Sequence, residues 1–271
     1  MAMLRPHTTL MTQSLHVVLA GFGPSMLFIH GSAADHATWT MQRNHPALIS
    51  AFRVITYDRR GTGLSAASTP VHTVAEHARD ALALLDAHPS ARPLIVGSSF
   101  GAVVALEAVR SATRPLAGCV LIEPPLAAAD ATPAVPLTFA AEFTRLRQQD
   151  GGPAAAAYFL RTVLGEAAFA RIPRLFLARS LEMADAIAAD SVALANYAPR
   201  YAALAACATP FLLVGGGRSA AYFADTLAAL AAHLPHAQRV TLPTAGHMLH
   251  AEAAKEFNAA LLAFAHACQP T

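Results

Sequence analysis

The stretch PLIVGSSFGAVVALEA (residues 93–108) decides how the rest of the chain is read. Residues 94–96 are a short apolar run with the length of a buried strand. Gly97-Ser98-Ser99-Phe100-Gly101 then forms a GxSxG pattern centred on Ser99, and residues 102–109 have helix composition. Strand, sharp turn and helix in that order are the context in which such a serine is a nucleophile. The turn needs small flanks, because side chains at Gly97 and Gly101 would collide with the elements crossing there. The start of the helix also aims backbone N–H groups at any anion near the serine.

Working upstream, residues 10–19 and 25–30 are expected to be strands, and Met26-Leu27-Phe28-Ile29 has the unbroken apolar character of a central parallel strand. His30-Gly31-Ser32 follows, then a polar loop, Trp39 and a short helix reaching Ser50. Residues 52–57 are the next strand and close in a turn from Asp58 to Ser65. That turn lacks the GxGxxG and GxxxxGK spacings of nucleotide-binding loops. Residues 73–88 are a helix, with Thr73 and Glu76 as a capping box and Pro89 as its stop.

Working downstream, residues 118–122 are a strand ending at Glu123-Pro124-Pro125. Helix signals then replace the alternation. The spacing predicts helices over 137–149 and 153–164 and one or two more over 173–196, led in by a Pro- and Ala-rich hinge at 124–136. Alternation resumes with a strand at 209–214, a helix at 219–234, a strand at 239–242 and a closing helix at 253–266. Strand–helix alternation implies a mostly parallel sheet with helices on both faces. Sites in such sheets lie beyond the carboxyl ends of the strands. His30, Asp58, Ser99, Glu123 and the loop before His247 all fall there.

The chain has 271 residues, 55% hydrophobic and 13% charged, with a net charge of +2. That balance argues against disorder, a nucleic-acid partner or an anionic membrane partner. No apolar run is long enough to span a bilayer. Cys119, Cys207 and Cys268 are widely spaced and form no CxxC pair, so neither a zinc site nor any other metal or cofactor is expected. The N-terminal residues lack a charged-then-apolar leader, and a cytoplasmic location is expected.

Acyl transfer needs a nucleophile, a base, an orienting acid and oxyanion donors. Ser99 is the nucleophile candidate. His247, in a loop after Gly246 and before the last helix, is the base candidate, with His250 the runner-up. The oxyanion donors should be the backbone N–H groups of Phe100 and Ser32.

With these pieces in view, the chain resembles the α/β-hydrolase family over nearly its whole length. The resemblance rests on His30-Gly31-Ser32, the turn from Asp58 to Ser65, the Ser99 elbow and Ala245-Gly246-His247. It implies an eight-stranded, mostly parallel sheet (1–125 and 207–271) with a helical cap inserted after strand six (126–206). Esterases, lipases and small-ester or lactone hydrolases are the members it looks most like. A serine at the nucleophile position disfavours the family's dehalogenase and epoxide-hydrolase chemistry.

One departure stands out. The family's acid usually follows strand seven, but here that turn reads Gly215-Gly216-Gly217-Arg218-Ser219. Some members place the acid after strand six, which makes Glu123 the candidate over Asp225 and Asp58. The expected function is hydrolysis of small to medium apolar carboxylic esters, with Phe139, Phe143, Phe159 and Phe176 as candidate pocket residues. The same triad would also serve C–C hydrolysis, a lyase reaction, acyl transfer or perhydrolysis, and a ligand-binding protein without turnover is a further alternative.

Overall fold

The computed structural model describes residues 8–12, 15–65, 69–129 and 135–269. Eight strands form one sheet: β1 (Thr8–Thr12), β2 (Leu15–Ala20), β3 (Ser25–Ile29), β4 (Arg53–Tyr57), β5 (Leu94–Ser98), β6 (Gly118–Ile122), β7 (Phe211–Gly216) and β8 (Ala237–Leu242). Their spatial order is β1-β2-β4-β3-β5-β6-β7-β8. Every pair from β4 to β8 is parallel, and β2 is antiparallel to both β1 and β4. Residues 10–19 are therefore two strands where one was expected. Thr12 pairs with Leu15, so the chain reverses between them. No Gly or Pro marks the reversal; the only signal in the sequence is the short polar run at residues 12–14, which also fits within one long strand.

The central parallel strands β3, β5 and β6 are buried along their length because helices cover both faces, whereas the edge strand β8 is mostly exposed. Alternate residues go to opposite sides, as the pleat requires. Leu27, Ile29, Ile95, Leu121 and Leu213 join one core with the helices Val74–Ala87, Phe100–Ser111 and Ala221–His233. Met26, Phe28, Val96, Val120 and Val214 join the other with Trp39, Leu48 and the helix Ala254–Cys268. Thr73 accepts from the Glu76 N–H at 3.2 Å and opens the first of these helices as expected.

The chain changes direction at β3, which has β4 on one side and β5 on the other. Ile29 pairs with Gly97, so the loop after β3 and the turn after β5 leave the sheet side by side. Such a switch point opens a crevice at the carboxyl ends of the strands.

Between β6 and β7 lie the helices Leu137–Gln149, Gly152–Leu164, Arg174–Leu181 and Ala184–Ala195, with a short turn of helix at Glu166–Phe169. They build an apolar cluster of their own from Phe143, Ala155, Ala156, Leu160 and Ile187, joined to the rest of the molecule through Ala33 in the loop after β3. Most of the expected hinge at 124–136 is described, but residues 130–134 lie outside the described residues. The expected helix at residues 40–50 is split in two, because Pro46 opens a second short helix at Pro46–Ala51.

Candidate active site

Ser99 stands between the end of β5 and the helix that begins at Phe100, with φ 54° and ψ −123°. A non-glycine residue in this region is strained, and such strain is held only where the surroundings enforce it. Here its N–H donates to the Ile122 carbonyl at 2.8 Å, tying the turn to β6. The flanks admit no side chain. A Cβ on Gly97 would lie 2.2 Å from the Gly101 carbonyl oxygen, and one on Gly101 would lie 2.2 Å from that of Ile29. Ser99 is half-buried and lines the main cavity, and so does the more buried Ser98.

Glu123 leaves the end of β6 with φ 43° and is 1% exposed. Among the described residues, each of its carboxylate oxygens has one hydrogen-bond partner. Oε1 accepts from the Gly216 N–H at 2.7 Å, and Oε2 lies 2.6 Å from His247 Nδ1. The carboxylate can only accept, so Nδ1 carries the proton and Nε2 is left as the basic nitrogen. The ring of His247 stacks on Phe223 with centroids 4.4 Å apart. Its loop is fixed by the Gly246 N–H, which donates to Glu252 Oε2 at 3.0 Å. His247 lines the same cavity as Ser99. Burial, and then the Glu123 carboxylate, pushes the nearby Tyr222 phenol up.

The two other acids weighed from the sequence sit elsewhere. Asp225 is exposed on the helix Ala221–His233. Asp58 Oδ1 accepts from the His36 N–H at 2.6 Å and from His36 Nδ1 at 2.7 Å, and Oδ2 accepts from the Leu64 N–H at 2.8 Å. His16, His36 and Asp58 do bring potential ligand atoms within 4.8 Å of one another. The Asp58 carboxylate is already committed to three N–H donors, two from His36 in the loop after β3 and one from Leu64 in its own turn, so the group fits a clamp between the two loops better than a metal centre.

Two groups near the serine were not singled out from the sequence. Arg59, in the turn after β4, is 1% exposed and forms a two-pronged ion pair with Asp190 of the inserted helix Ala184–Ala195, at 2.8 and 2.7 Å. Asp190 also accepts from the Ser32 hydroxyl at 2.6 Å. A lone acid on the buried face of an alanine-rich helix was the available signal for Asp190.

The cavity over Ser99 and His247 has a volume of about 520 Å³, within the range of small-molecule sites. Its wall is mostly apolar, with Phe159, Leu160, Val163, Ile172, Phe176 and Met183 among its residues. Of the four candidate pocket residues, Phe159 and Phe176 line the cavity. Phe139 and Phe143 do not line it. Phe143 is buried inside the inserted helices, and the Phe139 ring packs on Phe143, Tyr158 and Phe159. Helical spacing predicts an inward face but cannot say whether that face meets the cavity or another helix.

His250 also borders the cavity, against Trp39, with centroids 4.7 Å apart. Burial, and then His247, pushes its pKa down to about 3, and burial with Arg59 does the same to His30. Both imidazoles are neutral in the fold. The unfolded chain binds protons there from about pH 6.5 downward, while the folded chain resists until about pH 3. Stability is therefore present above pH 6.5 and is lost as the pH falls below it. The melting temperature should drop between pH 6.5 and pH 4, and His250→Gln should flatten part of that slope. A level profile over this range would contradict the buried neutral imidazoles.

The model of the alpha/beta hydrolase family matches residues 26–260. The chain belongs to that family. This alpha/beta hydrolase is 40% identical over 102 residues to an epoxide hydrolase of Caballeronia sordidicola, a match that takes in 35% of the chain and 29% of that protein. It is 29% identical over 246 residues to the dihydrolipoyllysine-residue acetyltransferase component of an acetoin cleaving system of Pseudomonas putida, covering 89% of the chain and 63% of that protein. The chain thus spans less than two thirds of either protein's length. Among solved structures, a hydrolase from Pseudomonas aeruginosa PA01 superposes with a TM-score of 0.79 at 26% identity, over 95% of this chain and 97% of that one. Among the described residues of this alpha/beta hydrolase, no helix is long and apolar enough to cross a membrane.

Proposed function

We propose that this alpha/beta hydrolase cleaves small to medium apolar carboxylic esters through an acyl-enzyme on Ser99, with His247 as base and Glu123 as orienting acid. The observation that carries the reading is the 2.6 Å contact between His247 Nδ1 and Glu123 Oε2, on a histidine that shares its cavity with a strained elbow serine.

The steps follow from that arrangement. Ser99 Oγ attacks the ester carbonyl carbon while its proton passes to His247 Nε2. The Glu123 carboxylate stabilises the imidazolium that forms. The backbone N–H groups of Ser32 and Phe100 receive the oxyanion. Collapse breaks the bond to the alkoxy group, which leaves as an alcohol with the proton from His247. Water then gives a proton to His247 and attacks the acyl carbon. The second oxyanion collapses, Ser99 recovers its proton, and the acid departs.

The inserted helices act as a cap that selects the acyl group. Phe159→Ala and Phe176→Ala widen the wall and should move the preferred nitrophenyl ester toward longer chains. The ratio of kcat/KM between long and short esters should change by about 10-fold, the scale set by one or two methylenes in an apolar pocket. Phe139→Ala, off the cavity, should lower the melting temperature and leave the ratio alone. An unchanged ratio in both wall variants would remove the cap from the specificity account.

The direct test of the reaction is stopped-flow release of nitrophenol from a short-chain ester. A burst of one equivalent followed by slower turnover is expected if the acyl-enzyme accumulates, together with formation of the free acid. An enzyme that shows no nitrophenol release on any ester from acetate to decanoate would overturn the assignment.

A further inference from the structure

We propose that Arg59 and Asp190 are positioning residues for the oxyanion donor Ser32, so that the inserted helix carrying Asp190 sets the rate at Ser99. This rests on the reading of Ser99 as an acylated nucleophile.

One peptide unit links the loop after β3 to the turn after β4. The N–H of Ser32 and the carbonyl of Gly31 belong to the same planar trans amide, so they point in opposite directions. Whatever holds the carbonyl therefore aims the N–H. The Gly31 oxygen accepts from His30 Nδ1 at 2.8 Å and from Arg59 Nη2 at 3.1 Å. Arg59 Nε donates to the His30 carbonyl at 3.2 Å, so one guanidinium grips two successive carbonyls of the loop. The His30 ring is held in turn, since its Nε2 accepts from the Arg59 N–H at 3.0 Å. The loop also lies directly on the nucleophile: a Cβ on Gly31 would come within 2.9 Å of Ser99 Cβ.

The same guanidinium sits 4.6 Å from the centre of the Phe100 ring, and Phe100 carries the second donor. Arg59 thus contacts the peptide of one donor and the side chain of the residue that carries the other. Its position depends on its counter-ion. A buried guanidinium needs a partner, and a planar two-pronged carboxylate fixes its orientation as well as its charge. Asp190 supplies that partner and adds a third contact, the Ser32 hydroxyl at 2.6 Å. His77 packs alongside, with Nε2 3.4 Å from Arg59 Nη1 and 3.8 Å from Asp190. Burial, followed by Arg59, holds His77 well below its usual pKa, so it stays neutral and does not compete for the Asp190 charge.

Asp190 lies on a helix whose other buried residues are Ala184, Ala186, Ile187, Ala189, Ala193 and Leu194. The other buried residues of this helix are all apolar, so its own packing does not call for an acid at 190. The acid adds a mechanical link from the helix to the Gly31–Ser32 peptide. A shift of this helix would move the guanidinium and rotate the donor.

The test compares wild type, Asp190→Asn, Ser32→Ala and Ser99→Ala on a short nitrophenyl ester. It also measures inhibition by a trifluoromethyl ketone that forms a tetrahedral adduct, and thermal melting. Asp190→Asn should lower kcat by about 10- to 100-fold, below the ~10²–10³-fold expected of losing a donor outright. KM should stay within about 3-fold, and ketone affinity should fall in step with kcat, because only the tetrahedral species uses the donor. Ser32→Ala keeps the N–H and loses one tether, so it should show the same pattern at smaller size. A lower melting temperature with unchanged kcat and ketone affinity would reduce the network to a structural clamp and overturn the inference. If Asp190→Asn does not fold, Ser32→Ala decides on the same readouts. Wild-type turnover that survives in Ser99→Ala would instead overturn the underlying reading, whatever the other variants do.

Discussion

Ser99→Ala removes ester hydrolysis almost completely, with kcat falling by about 10⁶-fold, the scale seen when a nucleophilic serine of this type is lost. The fold is expected to persist. Alanine keeps the Cβ that the turn already accommodates at φ 54°, and the Ser99 side chain makes no capping hydrogen bond to the helix that follows. Ser99→Gly should be as inactive yet more stable, because glycine relieves a conformation that costs on the order of 1–3 kcal/mol. Ser98→Ala is the control: Ser98 closes β5 and borders the same cavity, but its backbone ends a regular strand. Steady-state assays on the purified variants check all three. A Ser98→Ala enzyme as dead as Ser99→Ala would mean that the elbow has been read in the wrong register.

Glu123→Gln has the second largest expected effect, about 10⁴-fold in kcat, by the route through which an amide at the orienting acid disables a serine protease. The geometry here says which way the amide must turn. The Gly216 N–H, 2.7 Å from Oε1, needs an acceptor, so the glutamine oxygen faces Gly216. Its NH₂ then faces His247 Nδ1 and requires that nitrogen to accept. The proton moves to Nε2, and the imidazole can no longer take one from Ser99. The opposite rotamer restores the histidine but sets an NH₂ against the Gly216 N–H. Asp225→Asn, out on an exposed helix, should match wild type. Loss of activity in Asp225→Asn with retention in Glu123→Gln would move the acid to the helix.

Much of this was legible in the sequence, for reasons that differ by element. The central parallel strands announce themselves because burial on both faces leaves them almost no polar residue, as in Gly118–Ile122. The Ser99 turn is legible because its geometry excludes side chains at 97 and 101. Glu123 is reached through the family resemblance, which offers the end of strand six for the acid once the glycines at 215–217 leave the turn after strand seven without one; in the fold the Gly216 N–H donates to that carboxylate. The β1–β2 reversal was not legible, since no Gly or Pro marks it and the polar run at residues 12–14 is too short to stand out. The inner faces of the inserted helices were half legible. Phe159 and Phe139 share the same kind of spacing, and only packing sends one to the cavity and the other into the cap. The ion pair between Arg59 and Asp190 joins residues 131 apart, and no local pattern links them.

The most direct test of the central claim is acid quench of the enzyme during turnover of a slowly deacylating ester, followed by peptide mass mapping. The account predicts that one acyl group is carried on Ser99, that it appears and decays with turnover, and that it is absent from Ser99→Ala. Sustained hydrolysis with no acylated peptide, or with the acyl group on any other residue, would contradict it.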